Sequence, residues 1–192
     1  MKKEKPVHNE IYNGINIKVL HDPDAPNPRT ESDNLGHMVY WHRKYNIGDI
    51  DGSKKYNSPR EFLDSLPKGS VVLPMFLMDH SNLALRTTPF NDPWDSGQVG
   101  HIYATPDEIR KEYGVRHITR KTIETVKNVL KAEIKEFGCY MNGEVFGYVL
   151  EDEKGDELGS CWGYYGEEYC LEEAKAAADN MSGQNIGTGV GR

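Results

Sequence analysis

The residue types best suited to chemistry gather in two stretches of this chain. In "MDHSN" (78–82), an aspartate, a histidine and a hydroxyl stand side by side as Asp79, His80 and Ser81. Sequence neighbours make a poor nucleophilic triad, because the triad needs side chains converging from separate segments. No G-x-S-x-G elbow is present either. The competing reading is a polar turn in which Asp79 or Asn82 bonds the backbone. Eight residues separate it from "NDPWDSGQVG" (91–100), which brings together Asp92, Trp94, Asp95 and Gln98, with Arg86 and Thr87 just before it. An aromatic platform, carboxylates and hydrogen-bond donors at this density would line a ligand pocket. Backbone needs account for each residue singly: Pro89 and Pro93 fix torsions, and Asp95-Ser96-Gly97 is turn chemistry with Gly97 free to take positive φ.

A second long segment, "HDPDAPNPRTESDN" (21–34), has the same character, with Asp22, Asp24, Arg29, Asp33 and Asn34 beside prolines. Long loops in compact domains are disproportionately functional, so the two segments are expected to share a surface. The ligand-binding candidates are therefore Asp92, Trp94, Asp95, Gln98, Arg86, Asp22 and Asp24. Candidates for catalysis are His80, Asp79 and His42, in a scheme where a divalent metal on Asp79, Asp92 and Asp95 activates water for phosphoester hydrolysis. Against that scheme, H-E-x-x-H and D-x-D-x-D patterns are missing. His37 and His42 lie five apart in an expected strand, on opposite faces. No metal and no cofactor is expected, and "GTGVG" lacks the strand and helix that would make it a phosphate loop.

The elements that must position these residues can be read from periodicity and punctuation. "INIKVL" (15–20), "HMVYWHR" (37–43), "VVLPMFLM" (71–78), "LALRTT" (83–88) and "VGHIYA" (99–104) read as strands. Pro74 predicts a bulge or an edge in the third. Ser58-Pro59-x-Glu61 and Thr105-Pro106-x-Glu108 each open a helix with capping-box chemistry; Pro67 with Gly69 and Gly114 close them. Ile123, Val126, Leu130, Ile134 and Phe137 form an apolar stripe over 119–137, with Thr119 as cap and Gly138 as stop. "VFGYVLE" (145–151) and "LGSCWGYY" (158–165) make a hairpin, and a last helix runs over about 171–181. The expected fold is α+β: one domain over 1–181, a mixed, mainly antiparallel sheet of five to seven strands with three to four helices, and a flexible glycine-rich tail over 182–192.

Bulk properties narrow the function. The 192 residues suffice for one domain. With 10% aromatics and eleven tyrosines the chain is globular in character. A net charge of -7 argues against a general nucleic-acid binder. Cys139, Cys161 and Cys170 make an odd set without C-x-x-C spacing, which suits a reducing cytoplasm. Neither a signal peptide nor the ~18-residue apolar run of a membrane span is read, so no membrane partner is expected.

The segments "DPDAPNPR", "DNLGHMVYWHRKYNIGD", "DPWDSGQVGHIY", "RKEYGV" and "GSCWGYYG" resemble a family of small proteins carried by bacteriophages and other bacterial mobile elements. The resemblance covers about residues 15–175 and carries over no catalytic residue. It implies a bacterial cytoplasm and an accessory role during infection. The expected function is a non-catalytic binding protein that captures a host or phage protein, a defence factor or a small ligand through the acidic loops. The alternatives are the metal-dependent phosphoester hydrolase or nuclease, and a virion or scaffold protein that pairs through the aromatic hairpin 145–165.

Overall fold

The computed structural model describes residues 5–92 and 94–186. In chain order its elements are β1 (His8–Tyr12), β2 (Ile15–His21), α1 (Pro28–Glu31), β3 (His37–Tyr40), β4 (Ile50–Asp51), α2 (Gly52–Lys55), α3 (Pro59–Ser65), β5 (Val71–His80), β6 (Asn82–Arg86), β7 (Ser96–Ala104), α4 (Pro106–Tyr113), α5 (Arg120–Met141), β8 (Val145–Glu151), β9 (Glu157–Tyr165) and α6 (Glu167–Ile186). The class is α+β with mainly antiparallel pairing, and the strands are shared between two sheets of four and five. The described helices outnumber the expectation because α1 and α2 are single turns of four residues, too short to show a period. The chain divides into two compact units: Met1–Pro26 with Cys139–Arg192, and Asn27–Gly138.

The first unit is a sheet of order β1-β2-β8-β9, antiparallel throughout, with α6 packed on it. β1 was not anticipated from the sequence. Its signal was Asn13-Gly14, whose φ values of 51° and 81° make the two-residue hairpin turn that matches strand twist. Alternate residues Ile15, Ile17 and Val19 of β2 and Phe146, Tyr148 and Leu150 of β8 face a helix seam of Cys170, Ala174 and Ala178. Four-residue spacing puts the three small helix residues on one side, and their size lets the helix lie close to the sheet. Burial pushes the Cys170 thiol up to about 12, so it is an inert core residue here. α6 extends to Ile186, so the expected tail begins as helix, and 187–192 lie outside the described residues.

The second unit is a sheet of order β4-β3-β7-β5-β6, in which only the β3–β4 pair is parallel. β5 pairs on both sides, and its register slips between Met75 and Phe76, one residue past Pro74, where a bulge was expected. Gly100 sits where strands crowd: a Cβ there would lie 2.2 Å from the Val39 carbonyl oxygen. On one side of the sheet, Gly36 lets Leu130 of α5 close over Ile102. On the other, Phe62 of α3 inserts among Trp41, Tyr56, His101 and Tyr103, with ring centroids 5.3–5.9 Å apart. Fully burying a side chain such as Phe62, Leu130 or Ile134 contributes roughly 1.5–3 kcal/mol.

Local punctuation is largely as read. Ser58 Oγ accepts from Glu61 N, Thr105 and Glu108 form a reciprocal capping box, and Gly114 ends α4 at φ 60°. Thr119 Oγ1 accepts from Thr122 N at 3.2 Å at the head of α5. Three expectations need correction. The carboxylate of Glu61 reaches Asn57 N rather than Ser58 N. Gly138 does not stop α5, which continues to Met141 because a glycine inside a helix costs only about 1 kcal/mol against alanine. β3 ends at Tyr40, so the strand alternation drawn through His42 does not hold.

Candidate functional site

The predicted loop residues of the second unit do assemble at one end of its sheet. β5 runs on to His80, and Ser81 turns the chain at φ 47° into β6. The strand thus lifts Asp79 and His80 beyond the core, and both are exposed. After β6 the chain loops back and re-forms as β7 from Ser96, three residues earlier than read. Ser96 and Gly97 are therefore strand residues, and Gly97 does not use positive φ. The torsion assigned to Pro93 lies outside the described residues.

The loop is braced from several directions. Asp92 Oδ1 accepts from the backbone N–H of Trp94 at 2.9 Å and of Asp95 at 3.3 Å, while Ser96 Oγ donates to the Asp92 carbonyl. Those two backbone donors hold the Asp92 carboxyl below the ordinary range. Asp95 accepts the Asp79 N–H on its carbonyl at 2.8 Å and sits 2.7 Å from His80 Nδ1 through its carboxylate. Arg86 turns to its own loop: Nε donates to the Thr88 carbonyl at 2.9 Å, Nη2 donates to that of Pro89, and the guanidinium lies 3.7 Å above the Phe90 ring. Arg86 is thus a clamp on the loop.

Asp79 meets residues that the sequence reading passed over. Lys44 Nζ donates to its Oδ2 at 2.9 Å, and the Tyr45 hydroxyl to its Oδ1 at 3.3 Å. These bonds, Lys44 first, lower the Asp79 carboxyl, and Tyr45 and Asp79 together push Lys44 up to about 12. His42 stacks flat on Tyr45 with ring centroids 5.4 Å apart, and its Nδ1 accepts the Tyr45 N–H. Nothing local marked Lys44 and Tyr45, since their partner lies 35 and 34 residues away.

Asp79, Asp92 and Asp95 are consequently engaged with separate internal donors. Among the described residues, no group of three or more His, Cys, Asp or Glu side chains is arranged to hold a metal ion. Trp94 is the contrast: its backbone is pinned by Asp92, and the residue is 92% exposed. Gln98 does not join this rim. Its amide nitrogen lies 3.0 Å from His101 Nε2 and 3.4 Å from the Gly100 carbonyl.

The first acidic segment is divided between the units. Asp22 and Asp24 follow β2 in the first, where Asp22 N donates to the Val145 carbonyl. Arg29 belongs to the second and is buried, with 4% of its side chain exposed. Its guanidinium donates to Asp49 through Nε at 2.9 Å and Nη2 at 2.7 Å, to Asn34 and Glu133 through Nη1 at 2.7 and 2.8 Å, and to the Gly36 carbonyl at 2.6 Å. Glu133 also accepts the N–H groups of Leu35 and Gly36. Beside this knot lies a cavity of about 690 Å³ whose wall includes Asp33, His37, Glu108, Glu133 and Glu136. His37 Nε2 is 2.7 Å from Glu108, which also closes the Thr105 cap, so much of that wall is structural. Burial and the nearby Glu133 push the Glu136 carboxyl up.

No helix among the described residues is long and apolar enough to cross a membrane. No protein-family model, curated protein or solved structure matches the chain.

Proposed function

We propose that the protein is a non-catalytic binding protein that captures a macromolecular partner through the rim formed by Asp92, Trp94 and Asp95, with Trp94 as its anchor. The observation that carries this reading is the combination at Trp94: a tryptophan 92% exposed on a backbone already pinned by Asp92. Tryptophan is among the residues that dominate binding energy at interfaces. A loop ordered before contact loses less conformational freedom on binding. Engagement of Asp79, Asp92 and Asp95 by internal donors favours binding over metal-assisted hydrolysis, which needs those oxygens free. The proposed partner is a host or phage protein, and the proposed setting, taken from the resemblance above, is the bacterial cytoplasm during infection.

The test is affinity capture from phage-infected bacterial lysate, followed by titration of the recovered partner against three proteins: the natural chain, Trp94→Ala and Trp162→Ala. Loss of an interface anchor costs about 2 kcal/mol or more, so Trp94→Ala should weaken Kd by roughly 30-fold or more. Trp162→Ala, removing the exposed tryptophan of β9, should bind as the natural chain does. Equal affinity for all three proteins rejects the rim.

A further inference from the structure

The net charge of -7 conceals an uneven distribution. Residues 116–135 hold six of the 23 lysines and arginines but two of the 30 aspartates and glutamates, so this segment is cationic and the remainder is more acidic than the total suggests. Most of the segment is α5, whose buried side carries Val126, Leu130, Ile134 and Phe137. At 3.6 residues per turn, Arg120, Lys121, Lys127, Lys131 and Lys135 fall outside that side, within an arc of roughly 120°. From Arg120 to Lys135 the row is about 22 Å long at 1.5 Å per residue. Arg116 stands just ahead of it, before the helix begins.

The cations of this ridge are largely unspent. Arg116, Arg120, Lys121, Lys131 and Lys135 are exposed. Among the described residues, only Lys127 of the six has an acidic partner, Glu124 at 2.9 Å. Glu124 is the ridge's one carboxylate, and it is held below its ordinary range by Lys127 first, with Arg120 and Lys131 contributing, so these cations surround one point. The other acids of α5 point elsewhere: Glu133 is buried against Arg29, and Glu136 lines the larger cavity.

The surroundings of the ridge select among polyanions. None of the large apolar side chains left exposed among the described residues lies on α5. A helix that binds an anionic membrane buries an apolar face in it, and that face of α5 is already core. Protein interfaces are anchored by aromatic and apolar groups and are poor in lysine. Single-stranded nucleic acid is held by stacking on aromatic rings. Interfaces with duplex DNA are polar and strongly cationic, and are dominated by contacts to phosphate. B-form DNA also admits an α-helix to its major groove, whereas that of A-form RNA is too narrow for side chains to enter.

We propose that the cationic ridge of α5, with Arg116 at its head, docks on the phosphate backbone of duplex DNA. This reading does not use the Trp94 rim, so either can fail alone. The test is fluorescence anisotropy with a labelled DNA duplex of about 20 base pairs at about 50 mM salt, where saturable binding is expected; raising salt to about 200 mM should weaken it roughly 100-fold if four phosphates are neutralised. The variant Arg120→Gln, Lys121→Gln, Lys131→Gln, Lys135→Gln should weaken Kd at least tenfold. The variant Lys54→Gln, Lys55→Gln, Arg60→Gln, Lys68→Gln removes the same charge from exposed sites of the same unit and should weaken it less than threefold. Glu124→Gln removes the ridge's carboxylate and should tighten Kd about twofold or more, a gain that loss of folding cannot produce. The proposal is overturned by absence of saturable binding at the lower salt, by equal losses in the two fourfold variants, or by an unchanged or weaker Kd for Glu124→Gln. Tighter binding to an RNA duplex of the same length, or to phosphatidylserine vesicles, overturns it as well.

Discussion

The second unit contains two assemblies in which carboxylates meet cationic or hydrogen-bonding side chains, and they do opposite things. Around Arg29, every strong donor of a buried guanidinium meets Asp49, Glu133, Asn34 or the Gly36 carbonyl, and Glu133 also takes two backbone N–H groups. Around Asp79 and Asp95, the partners are Lys44, Tyr45 and His80, and all the charged side chains are substantially exposed. Water reaches every charged side chain of the second assembly, whereas in the first it reaches Asp49 but scarcely the guanidinium or Glu133. The first therefore holds loop, strand and helix together, and the second only shapes a surface. Charge pairing alone says little about stability until burial is known.

That contrast can be broken at its strong end first. Arg29→Met leaves the buried Glu133 without a cation, and should destabilise the fold by about 3–5 kcal/mol in urea unfolding. A loss below about 1 kcal/mol would mean water already reaches the network. Glu133→Gln keeps one acceptor for the Leu35 and Gly36 N–H groups, and should cost less, about 1–3 kcal/mol by the same measurement.

The buried imidazole gives the next effect, in pH. His101 stays neutral in the fold because burial lowers its pKa, whereas in the unfolded chain it titrates near roughly 6.5. As pH falls below that value the unfolded state takes up a proton that the folded state refuses, so stability is lost on acidification. Melting curves between pH 7.5 and 5 should fall more steeply for the natural protein than for His101→Gln. Parallel curves would show that the ring is solvated.

The smallest effect belongs to the exposed assembly. His80→Ala and Lys44→Ala should leave the melting temperature at its natural value within error, since exposed pairs exchange protein for water contacts. A clear drop in either variant would place the rim in the structural class with Arg29, and would weaken its reading as a binding surface.

Legibility tracked the distance between interacting residues. The Ser58, Thr105 and Thr119 caps bond three residues ahead, and the stripe from Ile123 to Phe137 repeats at helical steps, so short windows of sequence contain them. α6 was read too short because its buried seam is Cys170, Ala174 and Ala178, small residues that barely stand out from Ala176 and Ala177 beside them. The segment from Arg86 to Gln98 was found by composition, but its roles divided unforeseeably: Asp92 braces, Arg86 clamps, Trp94 is presented and Gln98 turns to His101.

By itself the sequence determined the α+β class, the mainly antiparallel pairing, most element positions and their caps, because each depends on backbone torsion, hydrophobic period or bonds a few residues long. Only the tertiary structure decided that the strands form two sheets, that Arg29 is a buried anchor for a glutamate 104 residues away, and that Asp79 takes Lys44 and Tyr45 as partners from 35 and 34 residues away. The physical reason is the same in each case. Burial and charge pairing depend on which segments meet, and that is a property of the chain's topology rather than of any local stretch.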